Sequence, residues 1–311
     1  MSDHSMITPG SLVLTEGSIY ERLRRDESIA FDPQLAHASL VYDERAREKL
    51  ANFHREYLAI GLDRGLPMIA LADTWRASGE RIARSRFAGR DVNGDNVRFL
   101  RELVAGSGGD VRVAALLGPR GDAYRASESP GYDDALRLHA PQVEALAAAA
   151  PDLIMAATLP SSIEARAMAM LLSQCGVPWI LSFVVRQDGR LLDGTTFRDA
   201  METIESRVSS EPLGFAINCV HPRVVRSAFE ADPTLPERIV WFQANTSARS
   251  PEELDGLDHI EADEPEEYAR ELVSLQRDYG IPVLGGCCGA GSRHMIAVAD
   301  AMVANRGAVR M

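Results

Sequence analysis

Short apolar runs rich in β-branched residues alternate with longer amphipathic stretches along the whole chain. Parallel strands need crossover connections, and right-handed crossovers can wind a sheet until it closes. Eight such units in one chain therefore predict an α/β fold, a single (β/α)8 TIM barrel over residues 1–311. An open doubly wound sheet is the alternative, but no unit carries the G-x-G-x-x-G turn of a dinucleotide-binding half. The predicted strands are 11–15, 67–72, 111–117, 153–157, 177–184, 213–219, 238–242 and 281–284, and the helices are 45–62, 93–105, 132–150, 161–174, 196–208, 222–230, 265–278 and 292–304.

The net charge and composition of the chain limit the classes of molecule that it is expected to bind. Lys and Arg number 33 against 45 Asp and Glu, so the formal net charge is −12 and nucleic acid is not expected as a partner. The N-terminus lacks a signal-peptide pattern and no run is apolar enough for a membrane span. We expect a cytoplasmic protein that acts on small molecules, and a homo-oligomer is compatible with the sequence.

Four cysteines are too few for a disulfide scaffold, and reduced thiols are expected. Cys219 ends the sixth predicted strand, and Cys287 and Cys288 follow the eighth between glycines. Barrel active sites lie at the carboxyl ends of the strands, so these three thiols are expected on one face. Three thiolates with a fourth position open are typical of catalytic Zn²⁺. A buried Cys219 and a vicinal disulfide at 287–288 remain the alternatives, and Cys175 is predicted to be structural at the opposite face.

These motifs carry a resemblance. Asn218-Cys219 at a strand end, followed by Gly285-Gly286-Cys287-Cys288-Gly289 and His294, resembles the zinc-dependent homocysteine S-methyltransferases. The resemblance implies a (β/α)8 barrel with zinc on the three cysteines. It also implies methyl transfer to the thiol of homocysteine, giving methionine. The donor would be a sulfonium or quaternary ammonium compound, with S-methylmethionine or S-adenosylmethionine favoured and betaine a further option.

The resemblance also implies substrate contacts. The family usually has an acidic residue and glycines after the first strand, where this chain has Glu16 and Gly17. It commonly has Glu-Thr-x-Pro after the fourth strand, where this chain keeps Thr158 but has Ala157 in place of the glutamate. The missing carboxylate would receive the ammonium group of homocysteine. Another acid must replace it, or the acceptor has no such ammonium.

Three further residues are candidates for binding the substrate. Asp73 follows the second strand and either replaces the missing carboxylate or caps the next helix. Asn218 and Asn245 end strands at the same face and either bind a substrate carboxylate or satisfy loop backbone. His294 is expected to support the Gly-rich loop by a hydrogen bond, and His221 is left out of the metal ligands.

Two features leave the function open. Arginines are frequent in residues 76–90. They belong either to a lid that attracts an anionic ligand or, more simply, to a solvated helix whose arginines pair with acidic residues. Because Ala157 replaces the glutamate, a zinc methyltransferase or demethylase that uses a different thiol or selenol acceptor is also compatible with the sequence. A zinc-binding barrel without catalysis is the alternative of another class.

Overall fold

The computed structural model describes residues 6–8, 10–249 and 261–308. Eight parallel strands form a closed barrel in chain order, with β1 hydrogen-bonded to both β2 and β8. This confirms the predicted (β/α)8 barrel and excludes the open sheet. The strands are β1 (Val13–Thr15), β2 (Met68–Ala72), β3 (Val111–Leu117), β4 (Leu153–Leu159), β5 (Trp179–Phe183), β6 (Phe215–Val220), β7 (Ile239–Ala244) and β8 (Val283–Gly286).

Helices follow the strands and cover the outside of the barrel. They are α1 (Ile19–Arg24), α2 (Glu44–Leu62), α3 (Gly79–Arg84), α4 (Val92–Ala105), α5 (Tyr132–Ala149), α6 (Ser162–Leu172), α7 (Phe197–Glu205), α8 (Pro222–Ala231), α9 (Pro265–Tyr279) and α10 (Ser292–Ala308). The eight predicted helices are confirmed, with ends shifted by up to four residues. Among the described helices, none combines the length and the apolar character needed to cross a bilayer.

Sequence periodicity missed α1 and α3, which have only six residues each. Such short helices are too brief to show a 3.6-residue repeat. Both are set by a serine N-cap whose side chain accepts a backbone N–H three residues on, Ser18 from Glu21 and Ser78 from Arg81. Both lie after a strand, so they help to form the carboxyl-terminal face of the barrel.

The interior of the barrel is filled by side chains from every strand. One buried cluster takes residues from all eight strands, and a larger one packs the strands against the helices. Filling of this kind leaves a packed core rather than a pore, so ligands must bind at the ends of the strands. The interior cluster comprises Val13, Ile69, Ala114, Leu153, Met155, Ala157, Ile180, Ala216, Trp241 and Val283.

The ends of β1 and β8 approach each other closely at Gly17. A Cβ atom there would collide with the carbonyl oxygen of Ala290 and lie 2.8 Å from the Tyr57 hydroxyl. The next residue, Ser18, donates its backbone N–H to the same Ala290 oxygen at 2.8 Å. Gly17 therefore lets the chain after β1 bond to the loop after β8, which is the loop that carries Cys287 and Cys288.

We expect Gly17→Ala to lower the free energy of unfolding by about 1–3 kcal/mol, because the added methyl meets backbone that cannot swing aside. Gly106→Ala is the matched control, since its Cβ would meet only ordinary contact and its backbone is right-handed helical. That change should be neutral or stabilising by about 0.4–1 kcal/mol. Urea unfolding of both variants checks this, and equal stabilities would contradict the close approach.

Candidate active site

Three cysteine sulfurs converge at the carboxyl-terminal face of the barrel. Cys219 lies near the end of β6, and Cys287 and Cys288 follow β8 directly. Their Sγ atoms all lie within 4.8 Å of one another. In this structure Cys219 and Cys287 form a disulfide with Cα atoms 5.4 Å apart, while Cys288 and Cys175 are free. The fold thus brings the sulfurs of Cys219 and Cys287 within bonding distance, and the reduced thiols expected from the sequence stay a prediction for this pair.

The donor set fits a zinc ion once the disulfide is reduced. Zinc–sulfur bonds of about 2.3 Å in a tetrahedral site place the sulfurs about 3.8 Å apart. Separations of no more than 4.8 Å are close to that value. In the reduced protein, Cys219, Cys287 and Cys288 would hold the ion and leave one position for a substrate.

Two asparagines hold the cysteine loops in place. Asn245 donates from Nδ2 to the Cys219 carbonyl at 2.9 Å and accepts the Cys288 backbone N–H on Oδ1 at 3.1 Å. It thereby joins the ends of β6 and β8 directly. Cys219 has a left-handed backbone with φ of 57°, which is uncommon outside glycine. The Asn245 bond holds the carbonyl of that strained residue.

Asn218 links β6 to β4 and β5. Its Oδ1 accepts the Thr158 backbone N–H at 2.9 Å and the Ser182 hydroxyl at 2.6 Å. Its Nδ2 donates to Thr158 Oγ1 at 2.7 Å and to Cys219 Sγ at 3.3 Å. Thr158 also has a left-handed backbone, with φ of 63°. Of the two roles expected for Asn218 and Asn245, the described contacts match the support of loops and strand ends.

Tyr124 is a site residue that sequence reasoning missed. It lies in the loop after β3, and its side chain is close enough to Asn245 and Cys288 to interact with both. Burial, together with the charge of Cys288, raises the pKa of Tyr124 well above its usual value. Burial and the charge of Glu21 raise the pKa of the Cys288 thiol to about 11. The β3 loop thus crosses the barrel mouth to the cysteines, which no local pattern in the sequence indicates.

A chain of charged side chains joins β1 and β2. Glu16 Oε1 lies 2.6 Å from Nδ1 of His54, and Asp73 Oδ2 lies 3.0 Å from Nε2 of the same ring. The other Asp73 oxygen lies 3.1 Å from His37 Nε2, and the other Glu16 oxygen accepts the Leu71 backbone N–H at 2.8 Å. Glu16 is 1% exposed and His54 is fully buried.

This geometry requires a charged imidazole. Both ring nitrogens of His54 face carboxylate acceptors, so each must carry a proton. Burial alone would lower the pKa of His54, but the charges of Glu16 and Asp73 outweigh it and raise that pKa to about 10. Burial alone would raise the pKa of Asp73, but the charges of His54 and His37 outweigh it and lower that pKa.

The chain of charges changes the expected roles of two residues. Asp73 does not cap the next helix, because Ser78 is the N-cap of α3. Both Asp73 oxygens are taken by histidines, and both Glu16 oxygens have partners within the protein. His54 lies on the buried face of α2 with Leu50 and Leu58, at i±4 spacing. A histidine within an otherwise apolar helix face is the sequence signal that could have identified His54, but hydrophobic periodicity alone does not take it into account.

The histidines near the cysteines bind the loop after β7. His221 accepts the Arg223 backbone N–H on Nδ1, so its Nε2 carries the proton donated to Asp263 Oδ2 at 2.9 Å. His294 Nε2 lies 3.0 Å from the Asp263 carbonyl oxygen. The prediction that His294 supports the Gly-rich loop is therefore wrong, because its hydrogen bond goes to the loop after β7. Cys175 Sγ lies near the Val177 carbonyl, before β5 and so at the opposite end of the barrel.

Comparison with known proteins identifies the family. The sequence profile of the family described as homocysteine S-methyltransferase matches residues 13–302. The chain belongs to the homocysteine S-methyltransferase family. The family assignment makes it a methyltransferase, which favours an enzyme over a zinc-binding barrel without catalysis.

Relatives of this methyltransferase match along nearly the full chain. Homocysteine S-methyltransferase 1 of Brassica oleracea var. italica is 25% identical over 305 residues, 90% of each chain. Homocysteine S-methyltransferase YbgG of Bacillus subtilis (strain 168) is 23% identical over 302 residues, 89% of this chain and 90% of the relative. The oxidized form of the homocysteine methyltransferase MmuM from Escherichia coli has the same fold, with a TM-score of 0.73, 22% identity and coverage of 93% and 95% of the two chains. A metallated form of that protein matches with a TM-score of 0.72, 21% identity and coverage of 93% and 96%.

We expect His54→Gln to lower the free energy of unfolding by roughly 3–5 kcal/mol at pH 7, because it leaves two buried carboxylates without their cation. The folded pKa of about 10 exceeds the ordinary value, so the imidazolium stabilises the fold fully below about pH 6.5 and loses that effect as pH rises through 10. The stability difference between wild type and variant should therefore shrink from pH 7 to pH 10 in urea unfolding. A difference that stays constant over that range would show that His54 is not charged.

Proposed function

We propose that this methyltransferase moves a methyl group from a sulfonium donor to the thiol of homocysteine and forms methionine. S-methylmethionine and S-adenosylmethionine are the donors proposed. The observation that carries the proposal is the convergence of Cys219, Cys287 and Cys288 within 4.8 Å at the catalytic face of the barrel. The relatives named above support homocysteine as the acceptor. We place the activity in the cytoplasm, on small molecules.

The three cysteines would hold Zn²⁺ as thiolates. Zinc supplies a positive charge that keeps a bound substrate thiol deprotonated, and therefore nucleophilic, at neutral pH. The neighbouring amides do the positioning, since Asn218 donates to the Cys219 sulfur and Asn245 accepts the Cys288 backbone N–H. Hydrogen bonds of this kind orient metal ligands and tune their basicity.

The transfer balances without any oxidant or reductant. The acceptor thiol gives up its proton to solvent, and a lone pair of its sulfur forms the new bond to the methyl carbon. The bond from that carbon to the sulfonium sulfur breaks, and its electron pair stays on the donor, which becomes a neutral thioether. The loop after β3 contributes Tyr124 to the place where this step would occur, since its side chain interacts with Cys288.

A second candidate keeps the chemistry and changes the acceptor. Ala157 stands where the family resemblance leads one to expect the glutamate that receives the homocysteine ammonium. A different thiol, or a selenol, would be methylated by the same arrangement of cysteines. Parallel assays with homocysteine, other thiols and selenocysteine separate the two candidates.

We expect the reduced wild-type protein to bind about one zinc per chain and to form methionine from homocysteine and S-methylmethionine or S-adenosylmethionine. Cys219→Ala, Cys287→Ala and Cys288→Ala should each lose the zinc and lower kcat/KM by more than about 100-fold, since losing a group that only supports a metal ligand already costs about 10–100-fold. Elemental analysis and a methionine assay measure both effects.

Cys175→Ala is the matched control, because this thiol lies at the other end of the barrel, where it packs against the core and donates to the Val177 carbonyl. It should keep both the zinc and the activity. Full transfer by the variants at 219, 287 or 288 would contradict the zinc-based proposal. Protein oxidised before metal is added should take up little zinc, because the disulfide occupies two of the three sulfurs.

A further inference from the structure

Arg76 is a cation at the barrel mouth without a carboxylate partner among the described residues. Its side chain is half-buried and lies over the ring of Trp75, with the guanidinium carbon 4.2 Å from the ring centroid. Its one described hydrogen bond goes from Nη1 to the backbone carbonyl of Gly121 at 3.0 Å. A guanidinium has five N–H donors, so most of its donors remain for a ligand.

Arg81 lies close to Arg76 and has similar contacts. Its guanidinium donates to the carbonyls of Gln34 at 3.1 Å and Arg120 at 3.3 Å, again without an acidic partner in the described part of the chain. Two other arginines of the segment have acidic neighbours, as the simpler expectation had it, and Arg90 lies over the ring of Tyr42. Arg84 bonds to Glu80, and Arg86 lies near Asp32.

The electrostatics around Arg76 favour an anion. Burial and the positive charge of Arg81 lower the pKa of Arg76 to about 10, against a partial offset from Asp122 and Tyr20. Asp122 is itself drawn toward Arg125 and accepts the Tyr124 backbone N–H. A partly buried guanidinium whose positive charge is so little compensated is stabilised when a carboxylate binds it. The planar guanidinium also matches a carboxylate geometrically, with two parallel hydrogen bonds.

Arg76 also stands on the catalytic face. The β3 loop that accepts its hydrogen bond at Gly121 continues to Tyr124, whose side chain interacts with Cys288. The indole of Trp75 beneath it donates from Nε1 to the carbonyl of Ala157, at the end of β4, at 3.0 Å. Arg76 therefore lies among the loops after β2 and β3, on the face of the barrel that also carries the cysteines.

The acidic side of the site is, by contrast, already in use. Both oxygens of Glu16 and both of Asp73 have partners within the protein, and Ala157 carries no charge. Glu21, whose charge reaches Cys288, lies between Arg24 and Arg25 at 3.4 and 3.5 Å. None of these positions offers a free carboxylate for an ammonium group.

We propose that Arg76, with Arg81 beside it, binds the carboxylate of the thiol acceptor, and that acceptor recognition depends on this carboxylate and not on an ammonium group. The proposal rests on the proposed methyl transfer and specifies the acceptor class: thiols that carry a carboxylate. Homocysteine belongs to this class through its carboxylate. Its amino group is dispensable.

Three thiols test the acceptor class. Homocysteine carries both groups, 4-mercaptobutyrate lacks the amino group, and 3-aminopropane-1-thiol lacks the carboxylate. We expect kcat/KM for 4-mercaptobutyrate to fall within about 10-fold of that for homocysteine. The aminothiol should be worse by about 10–150-fold, the equivalent of one hydrogen bond to a charged group. An aminothiol as good as homocysteine, or a mercaptobutyrate that is not used, would overturn the proposal.

Arg76→Gln tests the residue. It should lower kcat/KM for homocysteine and 4-mercaptobutyrate by about 10–150-fold and leave the aminothiol unchanged. Arg137→Gln is the control, because this exposed arginine on α5 pairs only with Asp134. If Arg76→Gln instead raises KM for an amino-acid donor while that of the acceptor stays the same, the carboxylate belongs to the donor and the proposal is wrong.

A binding experiment separates this proposal from the proposed function. 4-(Methylthio)butyrate is the product expected from 4-mercaptobutyrate, and calorimetry measures its binding without turnover. Wild type should bind it at least about 10-fold more tightly than Arg76→Gln does, since a hydrogen bond to a charged group is worth about 1.5–3 kcal/mol. Equal affinities would overturn the role of Arg76, whereas a wild type that binds the thioether but methylates no thiol would overturn only the proposed function.

Discussion

Closure of the parallel sheet is the constraint on which the site depends. Cys219 and Cys287 are 68 residues apart in the chain, and they meet because β6 and β8 end on the same face. Asn245, which directly follows the strand between them, bonds to the backbone of both cysteine segments. The left-handed backbone of Cys219 persists because these bonds and the surrounding barrel hold it. Three sulfurs that repel as thiolates are thus brought together by the fold rather than by their own attraction, and a divalent cation is the partner that would stabilise them.

A second set of charges shapes the other side of the mouth. Glu16, His54 and Asp73 together carry one net negative charge and are almost completely buried. Both carboxylates bond to His54 within the protein. A buried ion network of this kind is stable only while every member is paired. It therefore fixes the ends of β1 and β2, and it leaves those acids little capacity to bind a substrate cation. Within the described part of the chain, the charges at the mouth without an acidic partner are instead positive, at Arg76 and Arg81, which is the physical basis for the proposed recognition of an acceptor by its carboxylate.

Sequence reasoning reached the elements whose signals are local or periodic. The eight strand and helix pairs follow from hydrophobic periodicity, and the cysteines could be placed because a barrel puts all strand ends on one face. The contacts of Tyr124, His54 and Asp73 could not be placed in this way, because they depend on how a loop crosses the mouth and on which side chains meet across different elements. The disulfide was missed for the same reason, since the distance between Cys219 and Cys287 is set only by the folded backbone. Arg76 was visible only as one of several arginines, and its lack of a partner required the surrounding loops.

Zinc K-edge absorption spectroscopy on the reduced, zinc-loaded protein tests the central claim most directly. We expect three sulfur neighbours at about 2.3 Å with one lighter atom in the free enzyme, and a fourth sulfur when the acceptor thiol is added. A coordination sphere made of nitrogen and oxygen atoms, or one that does not change on addition of the thiol, would contradict it.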